Sequence, residues 1–306
     1  MTEPVYLELL TTNGIKERVA MAQRCLEHCD LCPRNCGVNR NAGEVGFCKI
    51  GKLARITSYG PHMGEEDALK GWAGSGTIFF SGCNLSCQFC QNFDISQFAK
   101  GKEIHSEEIA DIMLNLQNRG CHNINLVSPT HVIAQILSAI MIAAQNGLRL
   151  PIVYNSGGYD QLSTLKLLDS VADIYLPDMK YSDASLAKRF SGVSDYPTIN
   201  QAAVLEMHRQ VGDLQINASG LAVHGLLVRH LVLPGGVART QEVVMFLAGK
   251  VSAHTYINIM SQYHPAYHAN RYPVLNRRIT PEEYNSAIQS AIDAGLYRLE
   301  SHQNLP

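Results

Sequence analysis

From Thr77 onward the chain repeats one pattern six times: a short apolar run rich in β-branched and aromatic residues, a polar or glycine-rich break, then residues with helical spacing. This alternation restricts the fold more than any other feature, because strands joined by helical crossovers form a parallel sheet with right-handed connections. The strands are read at Thr77–Phe80, Asn123–Val127, Ile152–Tyr154, Asp173–Leu176, Gly225–Leu233 and Thr255–Met260. Helices are expected from an N-cap at Ser106 through Asn118, and over His131–Asn146, Asp160–Val171, Ala184–Phe190, Ile199–Val211 and Thr240–Val251. A last helix opens at Thr280-Pro281-Glu282-Glu283, which supplies an N-cap, a first-turn proline and early acids. An eight-stranded barrel takes about 250 residues. About 230 remain from Thr77, and six strands are counted. The expected fold is α/β, a partial (β/α)6 TIM-type barrel with a lateral opening.

The first strand runs directly into Ser81-Gly82-Cys83-Asn84-Leu85-Ser86-Cys87-Gln88-Phe89-Cys90, a C-x3-C-x2-C spacing. A tight loop at that spacing aims three thiolates at one inorganic centre. A cubane iron–sulfur cluster has four irons, each needing a ligand, so three cysteines leave one iron open. Zinc lacking its fourth ligand and plain buried thiols are the competing readings, since structural zinc takes four protein ligands. A loop at the C-terminal end of a strand, in a βα chain, is where barrel enzymes keep their chemistry, and this favours the cluster.

A second cysteine group precedes the strands. Cys25-x3-Cys29-x2-Cys32 repeats the same spacing, but it follows Glu8–Leu26, a polar helix-like stretch broken at Thr12-Asn13-Gly14, and no strand. It reads better as Cys29, Cys32, Cys36 and Cys48, a closed set of four thiolates, with Gly37, Gly43 and Gly46 allowing tight turns. Zinc and a second iron–sulfur cluster both accept four cysteines, and the sequence leaves both open. Cys25 and Cys121 read as ordinary thiols. A cysteine-rich metal-binding segment and connector over 1–75 is thus set apart from a barrel over 76–306. Within the connector Lys52–Gly74, strand character is seen near Ala54–Thr57; the stretch Gly60–Glu66 is able to bend back over the active site, while His62 and Glu65 read as solvated or structural rather than catalytic.

Composition supports metal over disulfides. Nine cysteines in short clustered spacings, with no secretion signal in Met1-Thr2-Glu3-Pro4-Val5-Tyr6, favour ligation. No apolar run is long enough to span a bilayer, so a soluble cytoplasmic protein is expected. A net charge of −2 without a basic run gives no electrostatic case for a nucleic-acid partner. Polar residues collect at the strand ends: Asn155 and Ser156 after the third, Asp178 and Lys180 after the fourth, Arg229 and His230 within the fifth, His264 after the sixth. In an α/β barrel these ends share one mouth with the cysteine loop.

On Cys83, Cys87 and Cys90 after a first barrel strand, the chain resembles the radical S-adenosylmethionine (radical SAM) superfamily. Over Ser81–Asn92 it is most similar to the pyruvate formate-lyase activating enzyme-like branch, and its Cys29–Cys48 run resembles the N-terminal segment of an activase-like subgroup. The resemblance implies an oxidoreductase. Cys83, Cys87 and Cys90 would hold a [4Fe–4S] cluster, and S-adenosyl-L-methionine (SAM) would bind its open iron. A flavodoxin- or ferredoxin-type reductant would drive cleavage to a 5′-deoxyadenosyl radical. That radical would take hydrogen from a substrate, a glycyl residue of a partner protein being the branch's choice. Asn155-Ser156-Gly157-Gly158, Asp178-Met179-Lys180 and His264 match cofactor-holding positions, and Arg229 joins them by its place in the fifth strand. A zwitterionic amino acid moiety and an adenosine need such a mixture of cations, oxygens and hydroxyls. Where the wider superfamily has Gly-Gly-Glu after the second strand, this chain has Ser128-Pro129-Thr130-His131, so the SAM amine must be held differently. The alternative is an iron–sulfur electron-transfer or binding protein on a barrel scaffold. The polar strand ends argue against it, since an electron carrier needs no such mouth.

Overall fold

The computed structural model describes residues 3–300. Two short helices, α1 (Tyr6–Thr11) and α2 (Gly14–Arg24), open it and break where expected, with Asn13 left-handed at φ 58°. After the cysteine-rich loop come β1 (Ala54–His62), α3 (Asp67–Lys70) and β2 (Ser75–Phe80). Next are α4 (Phe93–Ser96), β3 (Lys102–Ile104), α5 (Ser106–Asn118), β4 (Ile124–Val127) and α6 (Ile133–Gln145). The alternation continues with β5 (Ile152–Ser156), α7 (Leu162–Leu167), β6 (Ile174–Pro177), α8 (Ala184–Ser191) and α9 (Tyr196–Val211). It ends with β7 (Gln215–Ile216), β8 (Ala222–Leu231), α10 (Thr240–Phe246), β9 (Tyr256–Met260) and α11 (Pro281–Asp293).

Six strands run parallel in the order β2-β4-β5-β6-β8-β9. They are the six that the sequence pattern marks. Parallel strands are covered on both faces, which is why they read as continuous apolar runs; all five residues of β5 are buried. On one face Ile124, Leu126, Tyr154, Tyr175, Val228 and Ile257 pack into the main core beneath the helices. On the other, Val153, Ile174, Leu176 and Leu227 pack against Ala68 and Leu69 of α3. The β1–β2 connection thus plugs the amino-terminal end of the inner face. Asn123 donates from Nδ2 to the Leu69 carbonyl at 2.9 Å and accepts from the Ser75 hydroxyl at 2.6 Å. The mixed α/β sheet is consistent with a partial barrel.

Three departures from the sequence reading have local causes. The strand near Ala54–Thr57 extends to His62 because it pairs antiparallel with β2 along its length, and a long-range partner overrides its weak pattern. The α5 cap is His105, not Ser106, closed by Glu108 reaching back to the His105 N–H at 2.8 Å. The helix expected from Asp160 starts only at Leu162, since Gln161 is extended and Asp160 is engaged elsewhere, as described below. At α11 the expected cap forms: Thr280 and Glu283 exchange bonds of 3.2 and 2.9 Å. α6 is buried nearly all round because α2 and α5 flank it. Among the described residues no helix is long and apolar enough to cross a membrane.

Candidate active site

One cavity of about 420 Å³ takes a wall residue from each of the six parallel strands or their ends: Phe79, Val127, Asn155, Asp178, Arg229 and Met260. The sheet therefore curls around it, and its size lies in the range of small-molecule sites. Cys83, Cys87 and Cys90 also line it. The loop after β2 delivers them, and that loop turns at Gly82, which is left-handed at φ 83°. A Cβ there would stand 2.4 Å from the Cys48 carbonyl oxygen, so only glycine fits.

Each thiol has a polar neighbour, and Cys83 Sγ has a second in Asn84 Oδ1 at 4.0 Å. The Leu85 N–H donates to Cys83 Sγ at 3.4 Å, the Ser191 hydroxyl lies 2.9 Å from Cys87 Sγ, and the Ser96 hydroxyl lies 3.1 Å from Cys90 Sγ. Burial pushes the Cys83 thiol up to about 12 and the Cys87 thiol up to about 11. Lys180 stands within electrostatic reach of both and pulls the other way.

The cavity floor is a charge network. Lys180 Nζ donates to Asp178 Oδ2 at 2.5 Å, and Arg229 Nε to Asp178 Oδ1 at 3.2 Å. Arg229 Nη2 donates to Asn155 Oδ1 at 2.6 Å, and its Nη1 lies 3.8 Å from Glu65 Oε2. Burial works to raise Asp178, but Lys180 and Arg229 outweigh it and hold the carboxyl below its ordinary value. Glu65 is less well matched. Burial raises its carboxyl, and Arg229 offsets this only in part. Two cations thus face two carboxylates in the wall, with a third, Glu66, buried just beneath and bonded to Asn258 Nδ2 at 2.8 Å. Among the described residues, Glu66 Oε2 and both amide atoms of wholly buried Asn125 have no partner, so the layer behind the cavity wall is polar and under-satisfied, though neither residue lines the cavity.

Asp160 fixes the wall opposite. Its carboxylate accepts from Ser156 Oγ at 2.6 Å, Thr130 Oγ1 at 2.7 Å and Tyr154 OH at 2.8 Å. This locks the loops after β4 and β5 together and commits the Ser156 proton. Gly158 is the tight point of the β5 loop: a Cβ there would lie 2.1 Å from the Asp178 carbonyl oxygen.

The structure brings Cys83, Cys87, Cys90, Asn155, Ser156, Asp178, Lys180 and Arg229 to one cavity. It does not bring His264 there. That ring is exposed and bonds Gln91 Nε2 at 3.2 Å, and Gln91 is what lines the wall. Glu65 corrects the sequence reading in the other direction: its side chain is 7% exposed and lines the cavity, while its partner His62, 3.6 Å away, also lines it at 44% exposed. The sequence allows Gly60–Glu66 to bend back over the site but does not mark Glu65 itself. Gly60, Pro61 and His62 close β1, paired with Thr77, Gly76 and Ser75, and this pairing against β2 brings Glu65 to the cavity. His131, missed as well, lines the cavity and lies 2.8 Å through Nε2 from the Ser81 carbonyl oxygen. Cys29, Cys32, Cys36 and Cys48 do not line it.

The Radical SAM superfamily domain matches residues 77–226. Uncharacterized protein MJ0674 of Methanocaldococcus jannaschii is 33% identical over 294 residues, 93% of this chain and 80% of that protein. Uncharacterized protein MJ0808 of the same organism is 26% identical over 185 residues, 55% of this chain and 50% of its own length. A radical SAM methyltransferase from Sphaerobacter thermophilus superposes with a TM-score of 0.52 at 15% identity, over 72% of this chain and 64% of that one, a likeness of fold alone. The chain belongs to the radical SAM superfamily, and membership implies a [4Fe–4S] cluster and SAM.

The residues present fit both groups. Three unbridged cysteines line one cavity beside a half-buried lysine. Thiols raised by burial need a positive charge beside them to become thiolates, and a bound metal supplies it. The wall supplies two cations for a carboxylate and one loosely paired carboxylate for an amine.

Proposed function

We propose that Cys83, Cys87 and Cys90 hold the [4Fe–4S] cluster and that the cavity they line binds SAM for reductive cleavage. When bound, the cluster supplies one electron that splits SAM into methionine and a 5′-deoxyadenosyl radical, which takes hydrogen from a substrate. The convergence of the three thiols with Asn155, Ser156, Asp178, Lys180 and Arg229 on a single cavity carries this reading. Lys180 and Arg229 present cations to a carboxylate, and Asp178 holds both in place. Asn155 fixes the Arg229 fork. Glu65, 3.6 Å from the His62 ring and 3.8 Å from Arg229, offers a carboxylate to an ammonium, the part a Glu after β4 would otherwise take. Leu85, Ser191 and Ser96 orient the sulfurs. The test is anaerobic reconstitution with iron and sulfide, dithionite reduction, and assay of methionine and 5′-deoxyadenosine. Equimolar products are expected; a full cluster that binds no SAM overturns the proposal.

The activating-enzyme reading makes the hydrogen donor a glycyl Cα of a partner protein, with a flavodoxin- or ferredoxin-type protein as reductant. Its support is the sequence of Ser81–Asn92. Turnover with extract proteins labelled by α-deuterated glycine checks it. Deuterium should enter 5′-deoxyadenosine, and unlabelled product would contradict a glycyl donor.

A further inference from the structure

Cys29, Cys32, Cys36 and Cys48 lie outside the cavity, and the SAM reading does not use them. Cys32 is within electrostatic reach of the other three. Two of the four sulfurs have an N–H aimed at them: the Phe47 N–H donates to Cys36 Sγ at 3.4 Å, and the Arg40 guanidinium Nη1 lies 3.9 Å from Cys29 Sγ. Such donors suit anionic sulfur, since bonds to a charged acceptor are about twice as strong as neutral ones.

Arg40 supplies the independent observation. It is wholly buried, 0% exposed. Its Nε donates to the Gly51 carbonyl at 2.8 Å and its Nη1 to the His131 carbonyl at 2.7 Å, while Nη2 has no partner. No carboxylate is bonded to it among the described residues. A buried guanidinium is always charged and needs a counter-anion. Among the described residues, the groups beside it that can carry the balancing charge are the sulfurs of Cys29, 3.9 Å from Nη1, and Cys48, within its electrostatic reach.

We infer that Cys29, Cys32, Cys36 and Cys48 form a tetrathiolate metal site whose built-in counter-cation is Arg40. Four thiolates around a zinc ion or a doubly charged cubane leave two negative charges, and Arg40 neutralises part of them. The site abuts the cavity loop: the Cys48 carbonyl oxygen touches Gly82, Arg34 Nε donates to the Asn84 carbonyl at 2.8 Å, and Arg40 grips the carbonyl of the cavity-lining His131. Arg40 is thus a positioning residue, holding the site's charge and its place against the loop. Among the described residues no three of His, Cys, Asp and Glu are gathered tightly enough to clasp one ion as they stand; that holds for both cysteine groups alike.

The test uses the full chain with Cys83, Cys87 and Cys90 replaced by Ser, so that metal found belongs to the N-terminal site. Metal content is measured as purified and after anaerobic reconstitution. About one zinc, or about four irons with four sulfides, upholds the site and distinguishes the two metals. Loss on adding Cys32→Ser, with retention on adding Cys25→Ser, assigns it to the named set. A folded protein with no metal, or metal that survives Cys32→Ser, overturns it. Arg40→Met should speed metal loss to a chelator by about tenfold or more, as for other groups that support metal ligands, and Arg40→Lys should restore most of it. Equal loss rates in wild type, Arg40→Met and Arg40→Lys would overturn the role of Arg40.

Discussion

The two cysteine groups of this chain share an N–H···S device but differ in what surrounds them. Cys83, Cys87 and Cys90 face a cavity, with Lys180, Asp178, Arg229 and Glu65 across from them. Cys29, Cys32, Cys36 and Cys48 lie within electrostatic reach of one another, away from that cavity, with Cys29 beside a buried arginine. An incomplete ligand set beside open, charged space is suited to binding something further; a complete set with its own counter-cation is suited to staying as it is. Reactivity is therefore decided by the fourth position and the neighbouring wall, not by the cysteine spacing, which Cys25–Cys32 repeats without sharing the cavity.

The comparison breaks most sharply at the ligands. Cys90→Ala should lower 5′-deoxyadenosine formation by at least about 100-fold while leaving the N-terminal metal in place; metal analysis and product assay on the same sample check both halves. Next comes the wall. Asp178→Asn leaves the half-buried Lys180 and Arg229 side by side without their shared anion, which should cost about 2–3 kcal/mol of stability. Adding Lys180→Met should recover part of it, read as a denaturation midpoint. An additive double variant would mean the pair is not coupled.

Acid acts on the cavity side through His230. This ring is wholly buried, its Nδ1–H donating to the Met179 carbonyl at 2.6 Å and its Nε2 accepting from the Thr240 hydroxyl at 2.9 Å. Burial lowers it to about 4, the Met179 bond offsetting only part. The unfolded chain takes up a proton below about 6.5 while the folded one does not until about 4. This stability is thus fully present above pH 6.5 and is lost as pH falls toward 4, by about 3 kcal/mol. His230→Gln should flatten that stretch of the stability–pH curve; an unchanged slope would assign the loss to other groups.

The smallest effect sharpens the role of Glu65. Glu65→Gln keeps the shape but removes the charge, and should weaken SAM binding to the reconstituted protein by about tenfold, measured by calorimetry. Unchanged affinity would leave the SAM amine to another group.

Much of this layout was legible in the sequence. The six parallel strands announce themselves because both faces are buried, and Asp178 and Lys180 because a strand end carries them into the mouth. What could not be read depended on partners far along the chain. Glu65 enters the cavity only because β1 pairs with β2 and α3 plugs the inner face. Arg40 sits among polar residues in a glycine-rich stretch, and nothing local says that it is buried. His264 shows the converse: a matching position after the last strand leaves its ring outside the wall, bonded to Gln91.

The central claim is that the open three-cysteine group, not the closed four-cysteine group, cleaves SAM. The most direct measurement is 5′-deoxyadenosine formed by anaerobically reconstituted, reduced wild type, Cys87→Ala and Cys32→Ala proteins. The account predicts product from wild type, none above background from Cys87→Ala, and product per cavity cluster retained in folded Cys32→Ala. Undiminished product from Cys87→Ala would contradict it.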